Sequence, residues 1–192
     1  MKVMEYDWLV ETFEHTNVEA NNDFQRRYRA YWVMNQSRLA QHFYQTYFHL
    51  LEQNRNNPEV SIQDICRILY NVAVRGNRRT IQFSFATKLV HMINRSKPIY
   101  DSRVRDFYYL PEAKPKQEFN IRLDNYLRSY DFLCREYERI IRENLLEYSI
   151  GIFRHEFKNE NFSEIKIIDS LIWSFINLAK QGCFRDHIFR HQ

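Results

Sequence analysis

Lys88 and Asp101, an amine and a carboxylate 13 residues apart in FATKLVHMINRSKPIYDSRV, are of types and spacing that could do chemistry together. Stepping by about 100° per residue from Thr80 to Asn94 puts Ser84, Thr87, Lys88, His91 and Asn94 in one narrow stripe. Ile81, Phe83, Phe85, Ala86, Leu89, Val90, Met92 and Ile93 fill the remainder, so such a helix is buried on most of its circumference. An ammonium held away from water costs several kcal/mol or shifts its pKa downward, so it calls for a partner. Beyond the helix, Lys97-Pro98-Ile99-Tyr100 is extended by its proline, and Asp101 is placed to cap a new helix over SRVRDFYYL. The chain descends about 9 Å from Lys88 to Asn94 and can then span roughly 23 Å to Asp101, so the carboxylate can return to the ammonium.

The elements that must position this pair are helices. Tyr6, Leu9, Val10 and Phe13 predict a short helix from Glu5 to about His15, and Asn17 stands where a cap for the next element would be. Phe24, Tyr28, Tyr31 and Trp32 predict a second over Asn22 to Met34, with Arg26, Arg27 and Arg29 around its other side. A third reads from Ser37 to about Asn54 and a fourth from Ser61 to Arg75, where Ser61 and Asp64 make a start signal. With the Arg75–Thr80 turn, the fourth helix and the Lys88 helix make either a plain antiparallel helix pair or a helix-turn-helix unit whose arginine-rich turn would suit a phosphate. After Tyr109, LPEAKPKQEF reads as a linker, followed by a long helix from about Gln117 to Tyr148 carrying Leu123, Tyr126, Tyr130, Leu133, Tyr137 and Ile140 at heptad-like spacing. A short element over Ser149 to Lys158 and a last helix from Ser163 to a stop at Gly182 complete the chain. The expected fold is all-α, a bundle of about seven to nine helices over residues 1–192, with lobes 1–110 and 117–192 joined by 111–116.

The stretch FATKLVHMIN followed by KPIYDSRV resembles the T-K-L-L-H then P-I-Y-D-S pattern of small bacterial proteins of the helix-hairpin-helix DNA glycosylase superfamily, in its 8-oxoguanine glycosylase-like branch. The likeness runs from Phe85 to Val104. It implies an all-helical fold, double-stranded DNA as partner, a damaged base flipped from the duplex, and a base-excision reaction with Schiff-base (lyase) chemistry. By that resemblance Lys88 is the nucleophile and Asp101 the catalytic aspartate. Arg75, Arg78, Arg79, Thr80, His91, Arg103 and Arg105 would hold DNA, and Phe107 or Tyr108 would stack on the extruded base. Where the family carries a Gly-hydrophobic-Gly turn before its lysine helix, this chain has the single Gly76 in RGNRRT. Two alternatives stand beside this: a non-catalytic nucleic-acid-binding helical protein with Lys88 and Asp101 as a buried ion pair, or a protein-interaction module using the Leu123–Ile140 stripe as its seam.

Composition narrows the classes. Three glycines and four prolines in 192 residues leave no P-loop or dinucleotide fingerprint, which excludes most nucleotide-dependent enzymes. Cys66, Cys134 and Cys183 are odd in number and far apart, which fits a reducing compartment and no disulfide framework. The N-terminal stretch lacks an apolar leader segment and the longest apolar run is half a membrane span, so a cytoplasmic location is expected and no membrane partner. His42 with His49, and His187 with His191, lack a third ligand; no metal or organic cofactor is expected. A net charge of +4 permits nucleic-acid binding without requiring it.

Overall fold

The computed structural model describes residues 3–37, 39–72, 74, 79–113, 116–158 and 161–183. Among them the regular structure is helical: α1 Val3–His15, α2 Asn22–Tyr31, α3 Gln41–Gln53, α4 Ile62–Asn71, α5 Phe83–Ile93, α6 Ser102–Phe107, α7 Phe119–Arg142, α8 Glu147–Phe157 and α9 Glu164–Lys180. This is an all-α multi-helix bundle.

Local chemistry sets the helix ends. Ser61, Asp101 and Ser163 accept backbone N–H bonds at the starts of α4, α6 and α9, satisfying donors that have no partner inside the helix. Gly182, at φ 81°, ends α9, with its N–H bonded to the Ala179 carbonyl and that of Cys183 to Leu178. Other expected boundaries shift. Asn17 turns on itself, its Oδ1 accepting from Glu19 and Ala20, and Asn21 is the residue that caps α2. Val33 at φ 56° stops α2 at Tyr31, short of Met34, and α3 starts at Gln41 after a 3-10 turn over Met34–Ser37. The expected long helix to Tyr148 breaks at Arg142, because Asn144 adopts φ 54°, a left-handed conformation that asparagine tolerates well.

The buried residues form one core cluster that draws on both halves of the chain, from Leu9, Tyr28, Tyr47 and Leu69 to Leu133, Tyr137 and Ile168. Helix α6 packs on α9, α4 on α5, and α4 and α9 both reach α7. The heptad-like stripe of α7 is turned inward: Leu123, Tyr130, Leu133, Tyr137 and Ile140 are all buried, so the seam expected of an interaction module is occupied by the chain's own core.

At the centre lies α5, with nine of its eleven residues buried. Two tyrosines from neighbouring helices grip its backbone. Tyr28 and Tyr47, their hydroxyls 2.9 Å apart, reach the carbonyls of Lys88 and Phe85 at 3.3 and 3.1 Å. Both phenols are fully buried, which pushes them well above the usual tyrosine range and keeps them neutral donors.

Candidate functional site

The route from Lys88 to Asp101 is held by three side chains. His91 Nδ1 donates to the Lys97 carbonyl at 2.7 Å, and the Tyr130 hydroxyl donates to the Pro98 carbonyl at 2.9 Å. Thr87 Oγ1 accepts the Tyr100 N–H at 3.1 Å and lies 3.3 Å from the Tyr100 carbonyl. The polar stripe of α5 therefore meets the returning chain residue by residue. Asp101 arrives as the cap of α6, its Oδ1 accepting from the N–H groups of Arg103 and Val104 at 2.8 and 3.0 Å.

Lys88 and Asp101 line one cavity of about 390 Å³ with Tyr31, Trp32, Ile99 and Trp173. They do not form the direct ion pair that the spacing allows. The Lys88 ammonium donates to the Trp32 carbonyl at 3.2 Å, past the C-terminal end of α2 where the helix dipole is negative, and lies 5.5 Å from the Phe85 ring centre. Burial lowers the Lys88 pKa against the opposing charges of Asp101 and Asp169, and the Lys166 charge lowers it further. Burial raises the Asp101 pKa, Asp169 adds to that, and Lys88 with the two capping N–H groups works against it. Each group is thus drawn toward its neutral form.

A second lysine and aspartate share the cavity. Lys166 and Asp169, i and i+3 on α9, make a buried ion pair at 2.8 Å and both line the same space, with Ser170 beside them. Lys166 stands over aromatic rings, 4.8 Å from the centre of Trp32 and 5.4 and 5.7 Å from those of Tyr6 and Tyr31. Burial alone would lower its pKa, but the Asp169 carboxylate raises it on balance and holds the ammonium charged. No motif marks this pair, although the sequence carries a signal for it. At helical steps Asp169 falls between Ile165 and Ile172 on the inward stripe of α9, where a carboxylate needs a partner.

The expected DNA contacts fare unevenly. Arg75 and Arg78 lie outside the described residues. Arg79 is exposed, and Thr80 and Arg103 are half-buried. Arg105 is engaged by Asp106 and Glu112 at 3.0 and 2.9 Å. His91 is corrected outright. It is fully buried, its Nε2 accepts from the Tyr6 hydroxyl at 2.9 Å, and burial first, then the Lys166 charge, pushes its pKa down to about 3. It is a neutral ring inside the core and touches no surface that DNA could reach.

Phe107 and Tyr108 are likewise displaced from the expected stacking role, because α6 turns them toward α9 and α7. Phe107 packs on Phe175, and Tyr108 on Phe132 and Tyr137, while the flat walls of the cavity are Tyr31, Trp32 and Trp173. The basic face expected on α2 is paired off too. Arg27 grips Glu5 with two nitrogens and lies 3.5 Å over the Trp8 ring, Arg26 meets Asp23, and Arg29 covers Tyr44. Among the described residues no group of three His, Cys, Asp or Glu side chains could hold a metal, and no helix is long and apolar enough to cross a membrane. His187 and His191 lie outside the described residues. Cys66 is buried, its thiol pushed up to about 12, and so is not a nucleophile at neutral pH.

No protein family, curated protein or solved structure compared with the chain matches it.

Proposed function

We propose that the chain is a base-excision protein of DNA glycosylase type, in which the Lys88–Asp101 cavity receives a nucleotide extruded from duplex DNA. The observation that carries this reading is the shared cavity itself. An amine of lowered proton affinity and a carboxylate of raised proton affinity meet in a space of about 390 Å³ walled by flat aromatic rings. That volume falls in the range of small-molecule sites and suits a single nucleotide unit. Helix-hairpin-helix membership rests on the Phe85–Val104 likeness.

In this reaction neutral Lys88 attacks the sugar C1′, forming a carbon–nitrogen bond as the glycosidic bond breaks. The base leaves with the bonding electron pair and takes up the proton that the amine gives up. Asp101 stabilises the positive charge developing on the sugar and then relays protons as the imine forms. Of its two oxygens, Oδ1 is committed to the cap of α6, which fixes the carboxyl without using Oδ2.

Borohydride trapping tests this directly. The natural chain, incubated with duplexes carrying 8-oxoguanine or an abasic site, should give a covalent adduct that Lys88→Gln does not. Absence of an adduct with both duplexes would remove the imine mechanism. It would favour the second reading, a non-catalytic nucleic-acid-binding protein, which one observation already supports: the Lys88 ammonium donates to the Trp32 carbonyl, as a structural lysine would.

A further inference from the structure

The contact that restrains Lys88 and the most strained backbone at the cavity meet at one peptide bond. The ammonium donates to the Trp32 carbonyl at 3.2 Å, and the residue after this carbonyl, Val33, stands at φ 56°. A left-handed backbone crowds Cβ against a carbonyl oxygen, and a β-branched residue is a true outlier there. Among the described residues the other non-glycine positions of positive φ are Tyr109, Asn144 and Lys158, so Val33 is the β-branched one, and it lines the cavity with Trp32 and Lys88. Asparagine or glycine would take the same conformation at little cost. Strain of this kind persists only where surrounding contacts hold it.

Those contacts are slight. The Trp32–Val33 peptide makes two hydrogen bonds, 3.2 Å from the Lys88 ammonium to its carbonyl and 3.3 Å from its N–H to the Ala30 carbonyl, both longer than the usual distance of about 2.9–3.0 Å. A half-turn of this one peptide plane, with both Cα atoms left in place, takes Val33 from φ 56° to about −124° and Trp32 from ψ 8° to about −172°. Trp32 keeps its φ of −82°, so both residues become extended, the conformation that valine favours. Ala30 and Val33 are exposed, and the carbonyls freed on that side meet water.

The half-turn exchanges what Lys88 faces. The carbonyl leaves, and the Val33 N–H takes its side of the peptide. An ammonium has only N–H groups to offer and is repelled by that donor, whereas a neutral amine has a lone pair that accepts from it. The charged groups that act on Lys88, Asp101 ahead of α6 and Lys166 and Asp169 on α9, stand on other elements than this peptide.

We propose that the Trp32–Val33 peptide is a latch on Lys88. Closed, its carbonyl holds the amine at the cavity wall; open, turned over by the strain at Val33, it frees the amine and offers it an N–H. Val33 is thus a positioning residue that acts through the peptide before it. This rests on the reading of Lys88 as the attacking amine, and it names what restrains that amine.

The test is reductive methylation of the full chain with formaldehyde and cyanoborohydride, the rate at Lys88 followed by peptide mass spectrometry against the exposed lysines of the same molecule. Val33→Gly and Val33→Asn remove the strain and hold the latch closed, so Lys88 should react about tenfold more slowly in both, the worth of one left-handed penalty. Val33→Ile, again β-branched, should keep the natural rate. Asparagine preserves the bulk of valine and glycine removes it, so slowing in both is no effect of size. Val33 is exposed, and these variants should keep the helix content of the natural chain by circular dichroism. Equal rates in all four proteins, or faster reaction in Val33→Gly, would overturn the proposal. Because the probe contains no DNA, the cleavage reading fails separately. Slowed methylation in a protein that forms no borohydride adduct with either duplex would sink the cleavage mechanism alone, whereas an adduct with unchanged methylation in Val33→Gly and Val33→Asn would sink the latch alone.

Discussion

Lys88 carries the sharpest residue-scale consequence. Its amine must be neutral to attack, and burial holds its pKa below the ordinary 10.5 of a lysine. Adduct yield with an abasic duplex should therefore rise with pH and reach its half-maximum below 10.5, which trapping across a pH series would measure. A midpoint at or above that value would mean that the amine is not the buried one. His91, one turn further along α5, illustrates the opposite use of a titratable group. Its Nδ1 must be the donor because its partner is a carbonyl, so the Tyr6 hydroxyl must donate to Nε2, and the ring is fixed as one neutral tautomer.

At the scale of elements, α5 and the segment before α6 act as a unit because Thr87 bonds both the N–H and, within 3.3 Å, the carbonyl of Tyr100. That contact sets where Asp101 begins α6. Thr87→Val keeps the shape but strands the buried Tyr100 N–H, and should cost about 1–3 kcal/mol by denaturant unfolding. It should also slow adduct formation more than it lowers stability would suggest, because the carboxyl moves with its helix. Normal trapping kinetics in a destabilised Thr87→Val chain would separate the geometry of the site from this hydrogen bond. The Lys166–Asp169 pair links elements in another way, bringing α9 against Tyr6 of α1, Tyr31 of α2 and Trp32 just beyond α2. Asp169→Ala leaves a buried ammonium unpaired and should cost about 3–5 kcal/mol, whereas replacing both residues, Lys166→Met with Asp169→Leu, should be near neutral. Equal losses in the single and double variants, read by thermal or chemical unfolding, would contradict that account.

For the whole molecule the acid limb of stability is set in part by His91, whose folded pKa of about 3 lies below the 6.5 of an exposed histidine. The folded state binds fewer protons than the unfolded one between these values. Its contribution is complete above pH 6.5 and is lost as pH falls toward 3, at up to about 1.4 kcal/mol per pH unit. Denaturant midpoints at pH 7 and pH 4.5 should differ, and His91→Gln should flatten that difference; equal slopes in both proteins would exclude this source. The helices, the caps at Ser61, Asp101 and Ser163 and the stop at Gly182 were legible because each follows from periodicity or from a side chain that bonds its own neighbouring backbone. The apolar stripe ends at Ile140, but nothing in it singles out Asn144, whose left-handed backbone makes the break between α7 and α8. The sequence by itself determined an all-α fold and brought Lys88 and Asp101 within reach of each other, through a run of contacts no longer than 13 residues. Only the tertiary structure decided that Trp32, 56 residues away, takes the Lys88 ammonium, that His91 is sealed in the core, and that Lys166 and Asp169 complete the cavity. The reason is physical: helical periodicity records which face is buried, but not which distant helix lies against it.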